Sequence, residues 1–389
     1  MSVRNFVIPR KIYYGWGALD VLKNLNDSKV FIVTDENMTK CGWVKKVCAI
    51  LEENTKRKIS VFDKVEADPS REIVEKGAKL IEEGTSLVIG LGGGSTIDAA
   101  KAMWVFYEHP KLTWEQVFVP FGLPELRKKA QFIAIPSTSG TGTEVNSVAV
   151  ITNRNVNPNV KNFIKDYEIT PDMVILDPAI PSTMPPEVTA NTGLDVLVHA
   201  VEAYVSTGAT DITDPLALKA IELTFKWLPK AVGKGDDKNA REKMHMASSL
   251  AGMSFANSGL GITHALAHQL GAEFGLPHGR ANAIIFPYVI KFNSLVVAEK
   301  YANIAKFLGL EGNSNNILID CFIKAVNDLK ISLSIPLSIK QCGIDEKIFM
   351  DKLDMLAENA VKDGTRRANP RESNAKDMRN IYLQAWEGQ

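Results

Sequence analysis

The sequence predicts an α/β domain followed by an all-helical domain. In the first part of the 389-residue chain, short apolar runs alternate with segments of helical periodicity. Four prolines then fall within residues 178–186, where neither a helix nor a central strand can continue. Beyond them the pattern is almost entirely helical. We therefore expect one domain at residues 1–183 and a second at residues 184–389.

The first domain alternates apolar strands with amphipathic helices. This alternation is typical of a parallel sheet covered by helices on both faces. Residues 147–152 and the Asn-rich stretch that follows, to residue 159, predict an additional hairpin. The expected strands are residues 30–34, 59–62, 87–90, 132–136 and 173–176, and the expected helices are residues 45–53, 72–83 and 97–107.

The second domain shows almost no strand pattern, and we expect a helical bundle. Its predicted helices are residues 194–204, 215–228, 240–256, 261–271, 298–307, 317–326 and 346–358.

The composition excludes several classes of protein. Lys plus Arg equals Asp plus Glu, at 45 each, whereas a nucleic-acid-binding protein normally carries a basic surplus. The N-terminus lacks a hydrophobic signal core, and no uninterrupted apolar run is long enough to span a bilayer. None of the four cysteines forms a CxxC pair, which disfavours a thiolate zinc site. We expect a cytoplasmic protein with reduced thiols and with neither a nucleic-acid nor a membrane partner.

A glycine-rich turn stands between the third predicted strand and the helix after it. Residues 90–101 read GLGGGSTIDAAK. Gly92, Gly93 and Gly94 let the backbone approach a phosphate, Ser95 can cap the helix, and the helix N-terminus attracts anions. The segment departs from G-x-G-x-x-G, which also normally follows the first strand of such a domain. Its pattern fits either a phosphate loop or a tight turn.

Two further loops follow predicted strands. The hydroxyl-rich segment 136–144, with Thr138, Ser139 and Thr141, fits an anion-binding nest or a flexible surface loop. Asp35, at the end of the first predicted strand, fits a helix N-cap or an acceptor for an adenosine ribose, where it would disfavour the 2′-phosphate of NADP. Together the three loops predict a dinucleotide site at the carboxyl ends of the strands.

Histidines cluster in the second domain. Three of the six in the chain, His264, His268 and His278, lie within fifteen residues. Asp195 and His199 are four residues apart, as are His264 and His268, so each pair shares a helix face. The alternative is a set of core histidines and a helix ion pair. The sequence favours a metal site with five candidate ligands, and a tetrahedral site needs four.

The motifs together resemble the iron-dependent (group III) alcohol dehydrogenases. GGGSTIDAAK, STSGTGTE, GLDVLVHAVEAY, HALAHQLG and PHGRANA occur in family order across nearly the whole chain. The chain is particularly similar to the alcohol dehydrogenase half of bifunctional aldehyde–alcohol dehydrogenases. Because the aldehyde half is missing, we expect a stand-alone enzyme.

The resemblance implies a role for each site residue. It makes Asp195, His199, His264 and His278 the metal ligands and leaves His268 near the nicotinamide and the substrate. The implied metal is Fe²⁺, with Zn²⁺ as the alternative. The implied NAD contacts are Gly93, Gly94, Ser95 and Asp98 at the pyrophosphate, Thr138 and Thr141 nearby, Asp35 at the ribose, and Lys161 and the segment around Met184 reaching from elsewhere. Asp68 stands where many members carry Asn.

The resulting hypothesis is hydride transfer between NAD and a primary alcohol or aldehyde, with His268 relaying the proton. The resemblance also implies a homodimer or a larger homo-oligomer. The alternatives are a glycerol or polyol dehydrogenase, a lyase similar to dehydroquinate synthase, and a non-catalytic NAD or metal sensor.

Overall fold

The computed structural model describes residues 3–54, 56–155 and 160–388. It divides the chain into two compact units, one ending at Thr183 and the other beginning at Met184. We call them the α/β unit and the helical unit.

The α/β unit is built on a six-stranded parallel sheet. Its strands are β1 (Lys11–Tyr14), β2 (Lys29–Val33), β3 (Lys58–Phe62), β4 (Leu87–Gly92), β5 (Gln131–Pro136) and β8 (Met173–Leu176). They lie in the order β1-β8-β5-β4-β2-β3. The antiparallel hairpin is β6 (Val148–Asn153) and β7 (Val160–Lys165). The helices are α1 (Glu36–Lys40), α2 (Trp43–Glu52), α3 (Arg71–Ala78), α4 (Gly94–Glu108) and α5 (Trp114–Val117).

Both faces of the sheet are buried, which is why its central strands are continuously apolar. Phe31 and Val33 of β2 pack in one core cluster with Trp104 of α4. The intervening residues Val30 and Ile32 belong to a separate cluster that includes residues of α2. Helices therefore cover the two faces, and the predicted fold class is confirmed.

This unit differs from the sequence prediction in several features, which include the short helices α1 and α5, neither of which was predicted. The edge strand β1 was not predicted, because its side chains are intermediate or exposed and Tyr14 is 66% exposed. The glycine-rich turn therefore follows the fourth strand of the chain. The helix predicted to reach residue 83 ends at Ala78, where tighter turns replace helical bonding. The hairpin pairs as predicted, but residues 156–159 of its connection lie outside the described residues.

The helical unit contains two apolar cores that share one long helix. Its helices are α6 (Pro186–Val205), α7 (Thr213–Gly233), α8 (Lys238–Ser258), α9 (Ile262–Phe274), α10 (His278–Phe307), α11 (Asn315–Ser332), α12 (Glu346–Lys362) and α13 (Ala375–Glu387). One core joins α6, α7, α8 and α11 to α10, and the other joins α9, α12 and α13 to α10. The all-helical prediction is confirmed.

In the helical unit, two helical segments were not predicted from the sequence. The first part of α10 was not predicted; it contains Pro287, and the helix also bends at Val297, where φ is −129°. The whole of α13 was missed, although Met378, Ile381, Tyr382 and Trp386 follow the helical period and are buried. Tertiary packing accommodates the internal proline, whose effect on an isolated helix would be disruptive.

By length and composition, α10 could cross a bilayer, which the sequence analysis did not anticipate. It has 30 residues, and its most apolar window has a mean hydropathy of 1.5. However, 61% of that window is buried inside the protein. Such burial is typical of a core helix, and a core helix can be as long and as apolar as a membrane-spanning one.

Candidate metal centre and nucleotide loops

Four predicted metal ligands meet in the helical unit. Asp195 and His199 lie on α6, His264 lies on α9, and His278 is the first residue of α10. One side-chain ligand atom of each lies within 4.8 Å of the others. His278 is exposed and the other three are buried, so the cluster has one accessible side.

A glycine permits the start of α10 to approach α6. A Cβ atom on Gly279 would lie 2.0 Å from the carbonyl oxygen of Asn191 and 3.2 Å from Cβ of Asp195. Any side chain at this position would push the two helices apart. The PHG sequence thus places His278 against the Asp195 carboxylate through close backbone packing.

The gap between the four side chains is too wide for direct hydrogen bonds. Asp195 Oδ1 lies 3.8 Å from His264 Nε2 and 3.6 Å from His278 Nε2, and Asp195 Oδ2 lies 3.8 Å from His199 Nδ1. Among the described residues, neither His199 Nδ1 nor His264 Nε2 has a hydrogen-bond partner, although both atoms are buried. Leaving such atoms unpaired is costly, so their convergence indicates a ligand between them.

The electrostatics favour a cation in this gap. Burial would by itself raise the pKa of Asp195, but His199, His278 and His264 outweigh burial and lower it. Burial and the neighbouring rings lower the pKa of His264 well below its ordinary value. Asp195 is therefore a carboxylate and His264 a neutral imidazole, and these are the protonation states that bind metals.

Glu202, which the sequence analysis missed, fixes the orientation of His264. Its Oε2 lies 2.6 Å from His264 Nδ1 and accepts from the N–H of Gly261, while Oε1 accepts from the N–H of Thr263. An acceptor at Nδ1 holds the proton there and leaves the Nε2 lone pair for a metal. Its position three residues after His199 on α6 was the available sequence signal.

Two more side chains complete the surroundings of the cluster. Asn282 donates to Asp195 Oδ1 at 2.8 Å and approaches His278 Nε2 at 3.1 Å. Phe255 stacks on His199 with a ring-centroid distance of 4.6 Å. Three imidazoles and one carboxylate, beside the apolar ring of Phe255, fit a divalent transition metal such as iron or zinc.

His268 lies beside the cluster and outside the group of four. Its ring stacks on His278 at a centroid distance of 5.3 Å and meets His264 edge-on at 6.1 Å. Its Nδ1 lies 2.8 Å from Asp363 Oδ2. His268, the fifth candidate ligand, is therefore paired with Asp363 and is not part of the group of four.

In the α/β unit, the three predicted loops touch one another. They follow β2, β4 and β5, which are neighbours in the sheet. Thr96 Oγ1 donates to Asp35 Oδ2 at 2.9 Å, joining the first loop to α4. A Cβ on Gly94 would lie 2.8 Å from Thr141 Cγ2, and one on Gly93 would lie 3.5 Å from Thr138 Cγ2. The glycines thus allow the turn to pack directly against the hydroxyl-rich loop.

The start of α4 has the geometry of an anion site. Gly93 is its N-cap residue, and no side chain caps the helix. Gly92 has a φ of +157°, and a Cβ there would lie 2.6 Å from the Thr96 side chain. In the sheet, β3 lies on one side of β2 and β4 lies on the other. The strand order therefore reverses between β2 and β4, and α4 starts at the end of β4. Open parallel sheets bind nucleotides at this kind of point.

Asp35 acts as the helix N-cap, one of the two roles that the sequence left open. Its Oδ1 accepts from the N–H groups of Asn37 at 3.0 Å and Met38 at 3.1 Å. With Thr96 on its other oxygen, the carboxylate is fixed between α1 and α4. Contact with a ribose stays a prediction.

Asp98 and Lys101 tie α4 to the hydroxyl-rich loop and to β6. Asp98 accepts from Thr143 Oγ1 and from the N–H of Val150. Lys101 Nζ donates to carbonyl oxygens of Thr143, Asn146 and Val148, at 2.7, 2.9 and 2.9 Å. Burial lowers the pKa of Lys101 to about 8. Ser139 is buried within the same loop, at 4% exposure.

Lys161 lies beside the glycine-rich turn through Asp68. Its Nζ is 2.7 Å from Asp68 Oδ1, and the N–H of Asp68 donates to Ser95 Oγ at 3.2 Å. Asp68 adopts a left-handed conformation, with φ of 51°. The Met184 segment belongs to the helical unit, where the Met184 carbonyl accepts from the buried Arg241.

Comparison with known proteins agrees with this geometry. Residues 9–178 match the iron-containing alcohol dehydrogenase family, and residues 189–386 match the C-terminal region of the Fe-containing alcohol dehydrogenase family. The chain is 48% identical to an NADPH-dependent butanol dehydrogenase of Clostridium saccharobutylicum, over 97% of this chain and 96% of that protein.

Two further relatives cover the same length of this chain. An aldehyde–alcohol dehydrogenase of Streptococcus pneumoniae is 40% identical over 98% of this chain, which spans 46% of that longer protein. A crystal structure of 1,3-propanediol oxidoreductase superposes with a TM-score of 0.93 at 33% identity, covering 99% of this chain and 100% of the other.

These matches confirm the resemblance seen in the motifs, including the likeness to the alcohol dehydrogenase half of bifunctional enzymes. They do not favour the lyase or the polyol dehydrogenase. The chain belongs to the iron-containing alcohol dehydrogenase family.

Proposed function

We propose that this NAD(P)-linked alcohol dehydrogenase interconverts unbranched primary alcohols and their aldehydes. The observation that carries the proposal is the convergence of two buried, unpartnered imidazole nitrogens, an exposed imidazole and a carboxylate on one gap. The butanol dehydrogenase similarity supports a short linear substrate. Phe255, stacked on His199, offers an apolar surface to its carbon chain.

We assign the four clustered residues to the metal. When bound, the metal polarises the substrate oxygen, and the nicotinamide exchanges a hydride with the carbinol carbon. Oxidation of an alcohol to an aldehyde removes one hydride and one proton, so a proton acceptor is also needed. His268, adjacent to His278, takes the hydroxyl proton and passes it to solvent.

We propose that α4 and the loops around it hold the pyrophosphate. Gly92, Gly93, Gly94 and Ser95 supply the turn, with Thr138, Ser139 and Thr141 on the facing loop. Asp98 serves as a positioning residue, because both of its oxygens already accept hydrogen bonds and a carboxylate cannot donate one to phosphate. Lys161, held beside the turn by Asp68, supplies a positive charge.

We propose NAD rather than NADP as the preferred cofactor, although the butanol dehydrogenase relative uses NADPH. Asp35 is fixed at the end of β2, and its negative charge would repel a 2′-phosphate. The Asp35→Gly variant should raise kcat/KM for NADPH relative to NADH by about tenfold or more. A wild-type enzyme that prefers NADPH would refute the assignment.

Metal analysis and activity assays on the same protein preparation test the metal and the substrate. We expect anaerobically purified protein to contain iron rather than zinc, and its activity to vary along a series of linear alcohols and to be low with glycerol. Removal of the metal by a chelator should abolish activity, and Fe²⁺ should restore it. Full activity of metal-free protein would refute the function.

We also propose a cytoplasmic homo-oligomer without nucleic-acid or membrane partners. The cysteines are free thiols, which suits a reducing compartment. Exposed apolar side chains, including Tyr14 and Leu295, are available for subunit contacts. Light scattering during gel filtration would detect a monomer, which is the contradicting result.

A further inference from the structure

His268 and Asp363 form a carboxylate–imidazole pair at the edge of the metal cluster. His268 Nδ1 lies 2.8 Å from Asp363 Oδ2, and the Asp363 side chain is only 9% exposed. The other oxygen, Oδ1, accepts from both the N–H and the hydroxyl of Thr365, at 2.9 and 2.7 Å. Both oxygens are thus committed, one of them to His268.

The segment that carries Asp363 is anchored at both ends. Asp363 is the N-cap of a short 3-10 helix, Gly364–Ala368. The next residue, Asn369, is buried, and its Oδ1 accepts from the N–H of Ile262 and from Asn293. Asp363 therefore bonds to the middle of α9, at His268, and Asn369 bonds to its beginning, at Ile262. These two contacts fix the Asp363 carboxylate relative to the His268 ring.

The pair determines which nitrogen of His268 carries a proton. Burial would raise the pKa of Asp363, but hydrogen bonding to His268 and Thr365 outweighs it and lowers that pKa. Asp363 is therefore an acceptor, and His268 must donate through Nδ1–H. The lone pair then lies on Nε2, at the far side of the ring from Asp363.

One helical turn earlier on α9, His264 is also paired with a carboxylate, but it lies in the group of candidate metal ligands. His264 also directs Nδ1 to a buried carboxylate, that of Glu202. His264 belongs to the group that could hold a metal, whereas His268 does not. Thus α9 carries two imidazoles with the same tautomer, one available for a metal and the other for a proton.

We propose that Asp363 is the positioning residue for proton transfer: it holds His268 as the Nδ1–H tautomer, so that Nε2 can accept the substrate hydroxyl proton. The inference rests on the proposed role of His268. The alcohol O–H bond breaks, Nε2 gains the proton, and solvent receives it afterwards.

The main test compares Asp363→Asn and a matched control with the wild-type holoenzyme. Asp363→Asn can donate to His268 Nδ1 and so stabilises the wrong tautomer. We expect kcat for alcohol oxidation to fall by about 10- to 100-fold, with a changed pH profile, while bound iron and the KM for NAD stay constant. Asp345→Asn is the matched control, because Asp345 caps α12 in the same way. It should keep full activity.

His268→Asn and the double variant His268→Asn/Asp363→Asn separate the proposal from its alternatives. If Asp363 acts through His268, the double variant should be no slower than His268→Asn. A further loss in the double variant, or a fully active Asp363→Asn, would overturn the inference while leaving the role of His268 intact. A fully active His268→Asn would instead refute the proposed proton-transfer role itself.

A spectroscopic measurement keeps the test valid if Asp363→Asn folds poorly. Nitrogen NMR of histidine-labelled wild-type holoenzyme, loaded with zinc to avoid paramagnetism, reports the tautomer of His268. Comparison with His268→Asn assigns the signal. We expect Nδ1–H, and an Nε2–H tautomer in the wild-type protein would overturn the proposal.

Discussion

The two candidate sites are built on opposite principles. In the helical unit, side chains from α6, α9 and α10 converge and leave buried nitrogen atoms unpartnered. In the α/β unit, glycines and a helix N-terminus form the site, and the polar side chains around it bond to one another. The first arrangement leaves buried nitrogen atoms that a bound cation would satisfy. In the second, the surrounding side chains bond to one another, and the proposed nucleotide would contact the backbone of the turn.

Two buried lysines differ in their hydrogen-bond partners. Lys101 supports the hydroxyl-rich loop through several acceptors, whereas Lys330 Nζ has no hydrogen-bond partner among the residues that the structure describes. An unpartnered atom is therefore not a ligand site by itself. The group of Asp195, His199, His264 and His278 differs because four potential ligand atoms face one gap.

The largest expected effect is that of removing a metal ligand. His264→Ala deletes a buried nitrogen with no other partner, so bound iron should fall to background and kcat by about 1000-fold or more. Metal analysis and steady-state kinetics measure both. The control His109→Ala alters a histidine of the α/β unit that contacts a backbone carbonyl, and it should keep its metal. Retention of wild-type iron by His264→Ala would break the ligand assignment.

Loss of the carboxylate behind His264 should have a smaller effect. In Glu202→Gln, the amide cannot accept from all the donors that now face Glu202, so His264 loses its fixed orientation. We expect metal affinity to weaken by about 10- to 100-fold, measured by competition with a chelator. Glu108→Gln is the control, because Glu108 is also buried and accepts from the N–H groups of Lys128 and Ala130. Equal losses of metal affinity in both variants would contradict the role of Glu202.

A change in the nucleotide loops should spare the metal. Gly94→Val places methyl groups against Thr141 and over the start of α4, so NAD should bind about tenfold more weakly or worse. Fluorescence titration with NADH measures the affinity, and bound iron should be unchanged. Gly233→Ala, at a position with no neighbour within 4 Å of the added atom, is the control. Unchanged NADH affinity in Gly94→Val would remove the turn from the cofactor site.

The smallest expected effect concerns stability alone. Burial lowers the pKa of Lys330 from 10.5 to about 7, so between these values the unfolded chain holds a proton that the folded chain has released. This group therefore makes the free energy of unfolding rise with pH from about 7 to about 10.5. Lys330→Met removes the cost of a buried charge and should stabilise the protein by about 2 kcal/mol at pH 6.

Urea unfolding at pH 6, 8 and 10 measures this difference, which should shrink as the pH rises. Lys347→Met, at an exposed position on α12, controls for the loss of a positive charge. A Lys330→Met variant less stable than wild type at pH 6 would show that the ammonium group has a partner.

Local sequence patterns predicted the elements whose burial is regular. The strand expected at residues 30–34 is β2, and the strand expected at 173–176 is β8, because central parallel strands are continuously apolar. The edge strand β1 gave no such signal, since its side chains are intermediate or exposed. The pairs Asp195/His199 and His264/His268 were visible because a helix repeats every 3.6 residues.

Hydrogen-bond partners distant in the chain could not be predicted in this way. Glu202 lies 62 residues from His264, and Asp363 lies 95 residues from His268. Asp35 could have been an N-cap or a ribose acceptor, and only the bonds to Asn37 and Met38 identified the cap. Such pairings depend on how helices and loops pack, which no local pattern records.

The sequence by itself determined the fold class and the family and predicted the candidate metal ligands, because periodicity and the order of motifs are read directly from the chain. Tertiary structure decided which of two similar histidines faces the other candidate metal ligands. His264 and His268 lie on the same helix, and each directs Nδ1 to a carboxylate, yet only His264 joins the group that surrounds the gap. The reason is physical: a side chain's chemistry depends on the atoms that packing brings beside it.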